Sequence, residues 1–170
     1  MTDQLPGRFE ELLGSHRQDF SEIRRLCLIC HGLDNSADTI FSGSIYTSPS
    51  DEFRCVFQNL MSGSLLNLAV ALRVNGYQAA VDVSRDLSIQ CASLYWEPDL
   101  IVKQVSIKDV IDKIIHADFL SKETSYGTST EAPRVMMQLK GVHRKRKWIL
   151  DINIQYFVEV ILELIDSFGE

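Results

Sequence analysis

Cys27, Cys30 and His31 form a C-x-x-C-H pattern, which is the spacing of covalent haem attachment. That chemistry needs two thiols, an adjacent histidine as iron ligand, and export of the chain. The segment Met1–Gly14 has neither the basic nor the apolar region of a signal peptide. Both cysteines also fall on the apolar stripe of a predicted helix, where cysteine acts as a small hydrophobe. We therefore expect core residues here, with no haem, zinc or redox role and no cofactor.

His116 ends a short predicted helix and is the first candidate for catalysis. A histidine can act as a general acid or base near neutral pH. The structural alternative is a histidine whose positive charge interacts favourably with the negative end of the helix dipole. Arg73, on a long predicted helix, is the cation that could assist His116, and the sequence does not place the two together.

The segment Asp112–Ala117, the helix containing Leu68–Arg73 and the helix-rich pattern together resemble the HEPN superfamily of small helical-bundle proteins. Members often carry an arginine shortly before a histidine near a helix end, and many are ribonucleases or toxin components. Here the residues at positions 109–111 are Asp, Val and Ile, so the arginine of that pattern is absent and Arg73 could supply a cation from another helix. The resemblance implies a protein that binds or cleaves RNA.

A basic run from His143 to Lys147, followed by Trp148, is the second candidate site. Clustered cations can contact phosphates, and a tryptophan can stack on a base. The alternatives are a solvated turn whose tryptophan points into the core, or a docking site for an acidic partner or another copy of this acidic chain. The candidate binding residues are His143, Arg144, Lys145, Arg146, Lys147 and Trp148.

The bulk composition predicts one globular domain over residues 1–170. Hydrophobic residues make up 45% and charged residues 24% of the 170 residues, as in an ordinary soluble domain. The net charge of -6 argues against a protein whose whole surface binds nucleic acid. Without an uninterrupted apolar run or a signal peptide, we expect no membrane association and a cytoplasmic location.

Apolar residues spaced by three and four predict the helices that position these candidates. The predicted helices are Phe20–Leu33, ended by the turn-forming residues 34–36; a long helix from Ser48 to Gly76; Ala80–Leu94; a short helix from the capping box of Ser106 and Asp109 to Ala117; and a last helix around Phe157–Phe168. On the long helix the stripe expected to face the core is Phe53, Val56, Phe57, Leu60, Ser64, Leu68, Ala71 and Leu72.

The apolar period changes to two near the C-terminus, which is typical of strands. Val135–Leu139 and Trp148–Ile152 alternate around a connection containing Gly141, so we predict a hairpin. Ser121–Pro133 is polar and predicted to be a loop, whereas residues 39–47 are either loop or strand, with Ile45 a candidate for a third strand. The fold class is therefore mainly α to α+β: a helical bundle with a C-terminal antiparallel β-hairpin packed by a final helix.

The chain contains no G-x-S-x-G, P-loop or G-x-G-x-x-G motif, so hydrolase, nucleotidase and dinucleotide-binding functions have no support. We expect a non-enzymatic protein-interaction or self-association domain, with a protein partner or a homo-oligomer. The alternative is a HEPN-like RNA-binding or RNA-cleaving protein. A small-molecule-binding domain would require an apolar pocket, which a sequence does not reveal.

Overall fold

The computed structural model describes residues 20–41, 50–77, 81–99, 101–125 and 134–167. In chain order the elements are α1 (Ser21–Phe41), α2 (Asp51–Tyr77), β1 (Ala92–Trp96), α3 (Ile107–Ile115), β2 (Phe119–Ser125), β3 (Arg134–His143), β4 (Arg146–Ile152) and α4 (Ile154–Asp166). The strands form one antiparallel sheet in the order β1-β4-β3-β2. This confirms the predicted α+β class, with the hairpin followed by a final helix.

The predicted hairpin is formed by β3 and β4. Its inward residues on β4, Trp148, Leu150 and Ile152, are buried, as the alternation predicted. The predicted connection containing Gly141 is shorter than expected, because Gly141 lies within β3 and pairs with Trp148. His143 pairs with Arg146, so Arg144 and Lys145 alone make the turn. Both have positive φ angles, 49° and 68°, as a type I′ turn requires. Glycine and asparagine usually occupy these positions because other side chains adopt this conformation at a cost.

The helix predicted over Ala80–Leu94 is wrong. Residues 81–91 are irregular, and the chain then enters β1, which pairs with the free edge of β4 through Leu94 and Leu150. The apolar residues Ala92, Leu94 and Trp96 recur at every second position, so the segment satisfies a period of two as well as a helical period. A partner strand far along the sequence decides between the two. β1 is thus a third strand, and the candidate at Ile45 lies outside the described residues.

The prediction that Ser121–Pro133 is a loop is wrong over its first part. Residues 119–125 form β2, the edge strand beside β3, in which Ser121 pairs with Gln138. The side chains of β2 are mostly polar and do not show the apolar alternation of a strand. The strand forms because its backbone pairs with that of β3. Residues 126–133 lie outside the described part of the chain.

Helix α1 continues past its predicted end at residues 34–36 and reaches Phe41. Polar side chains there find partners elsewhere in the fold instead of ending the helix. The Asp34 carboxylate accepts a hydrogen bond from Lys122 at 2.6 Å, and Gln155 donates to the side chain of Asn35 at 3.1 Å. Asp and Asn side chains can end a helix by hydrogen-bonding to nearby backbone groups. Here those side chains bond to distant residues instead, so the helical backbone bonds are kept. Of residues 39–47, positions 39–41 are helical and the rest are outside the described residues.

Helix α2 ends within one residue of its predicted end at Gly76, and its predicted start at Ser48 lies outside the described residues. Part of its predicted core stripe is wrong. Phe53, Val56 and Leu60 are exposed, the last two by 50% and 53%. The face that packs into the core consists of Phe57, Met61, Leu65, Leu68, Ala69 and Leu72. Because α2 is apolar on most of its circumference, its periodicity does not say which stripe meets the other elements.

The two short helices begin at side-chain caps. Ser106 Oγ accepts a hydrogen bond from the backbone N–H of Asp109 at 3.1 Å, and the Asp109 carboxylate accepts from the Ser106 N–H at 3.0 Å. This confirms the predicted capping box. The side chain of Asn153 caps α4 by accepting from the Tyr156 N–H at 3.1 Å. The first cap sets where α3 begins, and its nine residues bring His116 to its C-terminal end.

Candidate functional site

A surface cleft between α3 and the β3–β4 hairpin is lined by four of the eight predicted site residues: Arg73, His116, His143 and Trp148. We call it the hairpin cleft, and its volume is about 760 Å³. It is lined by Arg73, Trp96, Asp112, Lys113, Ile115, His116, Ala117, Asp118, Val142, His143 and Trp148. The structure therefore brings together residues from α2, α3, β1 and the hairpin that are far apart in sequence.

Arg73 and His116 both line the hairpin cleft. The guanidinium of Arg73 forms an ion pair with the Asp112 carboxylate at 3.5 Å. The backbone N–H of His116 donates to the main-chain oxygen of Asp112 at 3.2 Å. The His116 side chain is exposed at the helix end. The two predicted residues thus share one cleft, with the arginine charge partly neutralised by Asp112.

Lys113 lies between two indole rings in the same cleft. Its ammonium nitrogen is 4.5 Å from the centre of the Trp96 ring and 4.7 Å from that of Trp148. Burial lowers the pKa of Lys113, and the charges of Asp109 and Asp112 oppose that shift only partly. Within the described ranges, no carboxylate comes within 4.0 Å of this ammonium. Lys113 therefore presents a partly desolvated positive charge whose contacts are aromatic faces.

The two tryptophans of the cleft differ in accessibility. Trp148 is only 1% exposed, so it packs inward from β4 and is not a stacking surface on the outside of the hairpin. A methyl group added at Gly141 would lie 2.7 Å from Cε2 of this indole and 2.9 Å from the main-chain oxygen of His116. Glycine at position 141 therefore makes room for Trp148. Trp96 is half-buried and is the indole that an entering molecule can reach.

Two residues of the basic run, His143 and Arg146, contact Trp96 from the hairpin side. The His143 ring stands edge-on to Trp96, with centroids 6.4 Å apart, and the Arg146 guanidinium lies 5.5 Å from the Trp96 centroid. Arg146 also forms a long, exposed ion pair with Asp99 at 3.6 Å. The side chains of Arg144, Lys145 and Lys147 are exposed. Of the basic run, His143 lines the cleft and Arg146 contacts Trp96, whereas Arg144, Lys145 and Lys147 are not among the residues that line it.

The C-x-x-C-H residues are not arranged for chemistry. Cys27 and Cys30 are fully buried on the core face of α1, and burial raises the pKa of both thiols to about 12. A thiol with such a pKa is protonated near neutral pH and is neither a nucleophile nor a good metal ligand. Among the residues described, no three His, Cys, Asp or Glu side chains group closely enough to hold a metal ion.

A second surface feature is the exposed apolar stripe of α2, which we call the α2 seam. Its residues are Phe53, Val56, Leu60, Gly63, Asn67, Val70 and Val74, and all are exposed. They alternate in steps of three and four, the spacing of a and d positions in helices that pair. None carries a charge. By length and composition alone, the span Asp51–Gly76 is also long and apolar enough to cross a membrane.

Three of these features were not predicted from the sequence. Trp96 was missed because the residues before it were predicted to form a helix, Ala80–Leu94, instead of strand β1. Lys113 was missed because nothing in the sequence places it between indoles. The α2 seam did have a signal, since its heptad spacing is visible once two apolar stripes are sought on one helix. No family model, curated protein or solved structure matches this chain. The resemblance to the HEPN superfamily therefore stays a prediction.

Proposed function

We propose that this chain is a non-enzymatic interaction protein that forms a homodimer through the α2 seam. The observation that carries the proposal is a continuous uncharged stripe on the outward face of the longest described helix. From Phe53 to Val74 the seam is about 32 Å long. Contiguous apolar surface of this extent on a globular domain is typical of a protein–protein contact.

The seam is self-complementary when a second copy runs antiparallel to it. In that register Val56 faces Val74, Leu60 faces Val70, and Gly63 faces Asn67. The large side chains meet apolar partners, and the amide of Asn67 occupies the space that Gly63 leaves. A two-fold axis repeats every pair, as an isologous interface requires.

The centre of the seam is open to a partner. A methyl group added at Gly63 would meet nothing within 4 Å, so none of the residues that the structure describes covers this position. A parallel pair would place Gly63 opposite Gly63 and leave a void in the contact, which is unfavourable. The sizes of the side chains thus favour an antiparallel copy.

Other occupants fit the seam less well. A charged partner finds no ionic group on it, because its members are Phe, Val, Leu, Gly and Asn. A lipid bilayer would have to surround α2 on all sides. The opposite face of α2, including Met61, Leu68 and Leu72, is fully buried in the domain core. Membrane insertion would therefore require α2 to leave the core.

The test is to place a charge in the seam. Leu60→Glu loses the burial of one leucine in each copy, about 1.5–3 kcal/mol, and places two carboxylates in an apolar contact. We expect the dimer dissociation constant, measured by analytical ultracentrifugation, to rise more than about a hundredfold. The matched control is Leu28→Glu on α1, because Leu28 is 73% exposed and lies outside the seam. It should leave the dimer unchanged.

Disulfide cross-linking tests the orientation. In a Cys55→Ser background, the double variant Val56→Cys with Val74→Cys should form covalent dimers under mild oxidation. Val56→Cys alone should form few, because residue 56 of one copy lies far from residue 56 of the other in an antiparallel pair. A wild-type chain that stays monomeric at concentrations on the order of 0.1 mM would refute the dimer. So would binding to uncharged lipid vesicles that Leu60→Glu abolishes.

A further inference from the structure

The hairpin cleft contains a positive charge that lacks an anionic partner. Arg73 is paired with Asp112, whereas Lys113 Nζ contacts two aromatic rings and has no carboxylate within ion-pair distance in the described parts of the chain. An ammonium in a partly dry site interacts strongly with a multiply charged oxygen anion. The first element of a ligand for this cleft is therefore a phosphate-like group.

The cleft also offers an aromatic surface beside that charge. Trp96 is half-buried, and two cations, Lys113 and Arg146, lie near its ring. The side chain of Arg146 is 58% exposed. A long exposed side chain of this kind can move aside, so a planar ring can approach the indole. Stacking on tryptophan is favourable for any nucleobase. The second element of the ligand is thus an aromatic base next to the phosphate.

The hairpin turn extends the positive surface at a conformational cost. Arg144 and Lys145 occupy the two left-handed positions of the turn, where asparagine and glycine are the ordinary residues. Left-handed conformation costs an ordinary residue free energy, and such strain is found at functional sites. Positive charge on the exposed turn that follows His143, a residue of the cleft lining, is a property that this pair has and Asn-Gly lacks.

Asp118 supplies a negative charge to the same cleft. It lines the cleft, and its backbone N–H donates to the main-chain oxygen of Lys140 at 2.9 Å. The Asp118 carboxylate would repel a phosphate. It therefore supplies a test with the opposite sign from Lys113.

We infer that the hairpin cleft binds a nucleobase that carries a phosphate, with the phosphate at Lys113 and the base against Trp96. The same chemistry is found in a free nucleotide and in single-stranded nucleic acid. The inference concerns binding alone and does not depend on the dimer. A monomeric Leu60→Glu variant should therefore bind the ligand as the wild-type chain does.

Tryptophan fluorescence measures this binding directly, because the two tryptophans of the chain both line the cleft. The probes are uridine monophosphate and a single-stranded oligouridine of about eight nucleotides. We expect saturable quenching by at least one probe. Lys113→Gln should weaken that binding about tenfold, the size of one lost charge-assisted contact. Asp118→Asn should strengthen it.

The matched control is Lys108→Gln, which removes the same charge from the same helix outside the cleft. It should change the dissociation constant less than about twofold, and circular dichroism should show that all variants are folded. Neutralising Arg144 and Lys145 distinguishes the two sources of the ligand. If this weakens the oligonucleotide and makes its binding less salt-dependent, the cleft takes single strands. If only the mononucleotide binds, and turn neutralisation leaves its affinity unchanged, the cleft takes a free nucleotide.

Three outcomes would overturn the inference. The first is that neither probe quenches the fluorescence in a saturable way. The second is that Lys113→Gln and Lys108→Gln bind equally well, because the site would then lie elsewhere. The third is that polyglutamate binds as tightly as the oligonucleotide, which would indicate an acidic protein partner instead.

Discussion

Lys122 is a buried lysine that joins β2 to α1. Its side chain is 1% exposed, and its ammonium donates to the carboxylate of Asp34 at 2.6 Å and to the main-chain oxygen of Asp34 at 3.0 Å. It also forms an ion pair with Asp38. Lys122→Met keeps much of the length and volume but removes the charge, so Asp34 stays buried without its cation. Breaking one side of a buried pair costs about 3–5 kcal/mol, and we expect a loss in this range.

Urea denaturation of a double-mutant cycle measures this effect. Asp34→Asn in the Lys122→Met background should restore part of the lost free energy of unfolding, because it removes the uncompensated charge. We expect a coupling energy of about 2–3 kcal/mol. The matched comparison is the exposed pair Arg24–Asp166, whose side chains are 47% and 64% exposed and whose coupling should be about 0.2–1 kcal/mol.

The pH dependence of the variant provides an independent check. Burial raises the pKa of Asp34, and the hydrogen bond and charge of Lys122 oppose that shift; Asp38 raises it further and His31 lowers it. Without Lys122 the pKa should rise more, so folded Lys122→Met takes up a proton at a higher pH than the unfolded chain does. The destabilisation is then complete at neutral pH and decreases as the pH falls through the raised pKa. A cost below about 1 kcal/mol, or one that grows on acidification, would refute the reasoning.

Three further predictions concern the hairpin and the thiols. Gly141→Ala should destabilise the fold by about 1–3 kcal/mol in chemical denaturation, because the added methyl group overlaps Trp148; an unchanged midpoint would contradict this packing. Arg144→Asn with Lys145→Gly should raise the free energy of unfolding by about 1–2 kcal/mol, since it relieves two left-handed residues; no gain would mean that the turn is unstrained. Cys55 should be the one rapidly alkylated thiol among the four cysteines of the native chain, because it is exposed and the others are buried. Mass spectrometry identifies the labelled thiol: fast labelling of Cys27 or Cys30 would contradict the packing of α1, and fast labelling of Cys91 that of the segment before β1.

Elements whose signals are local were predictable from the sequence. The capping box of Ser106 and Asp109 consists of two hydrogen bonds within one turn of chain, so it needs no distant partner. The β3–β4 hairpin joins neighbours in sequence, and its alternation is readable because one face is buried. His116 and the basic run were likewise recognisable as chemically capable residues from their types alone.

Features that depend on distant partners were not predictable. Strand β1 is a strand because β4, more than fifty residues later, offers it a free edge. Helix α1 continues through Asp34 because Lys122 on another element satisfies that carboxylate.

The same division holds for the candidate sites. The order of residues establishes which of them are charged, aromatic or apolar, and the period at which they recur. Contacts between distant elements place Lys113 between Trp96 and Trp148, and bury one apolar stripe of α2 while the other stays exposed. The physical reason is that local periodicity sets the face on which a side chain lies. Packing against elements far along the chain sets what that face meets.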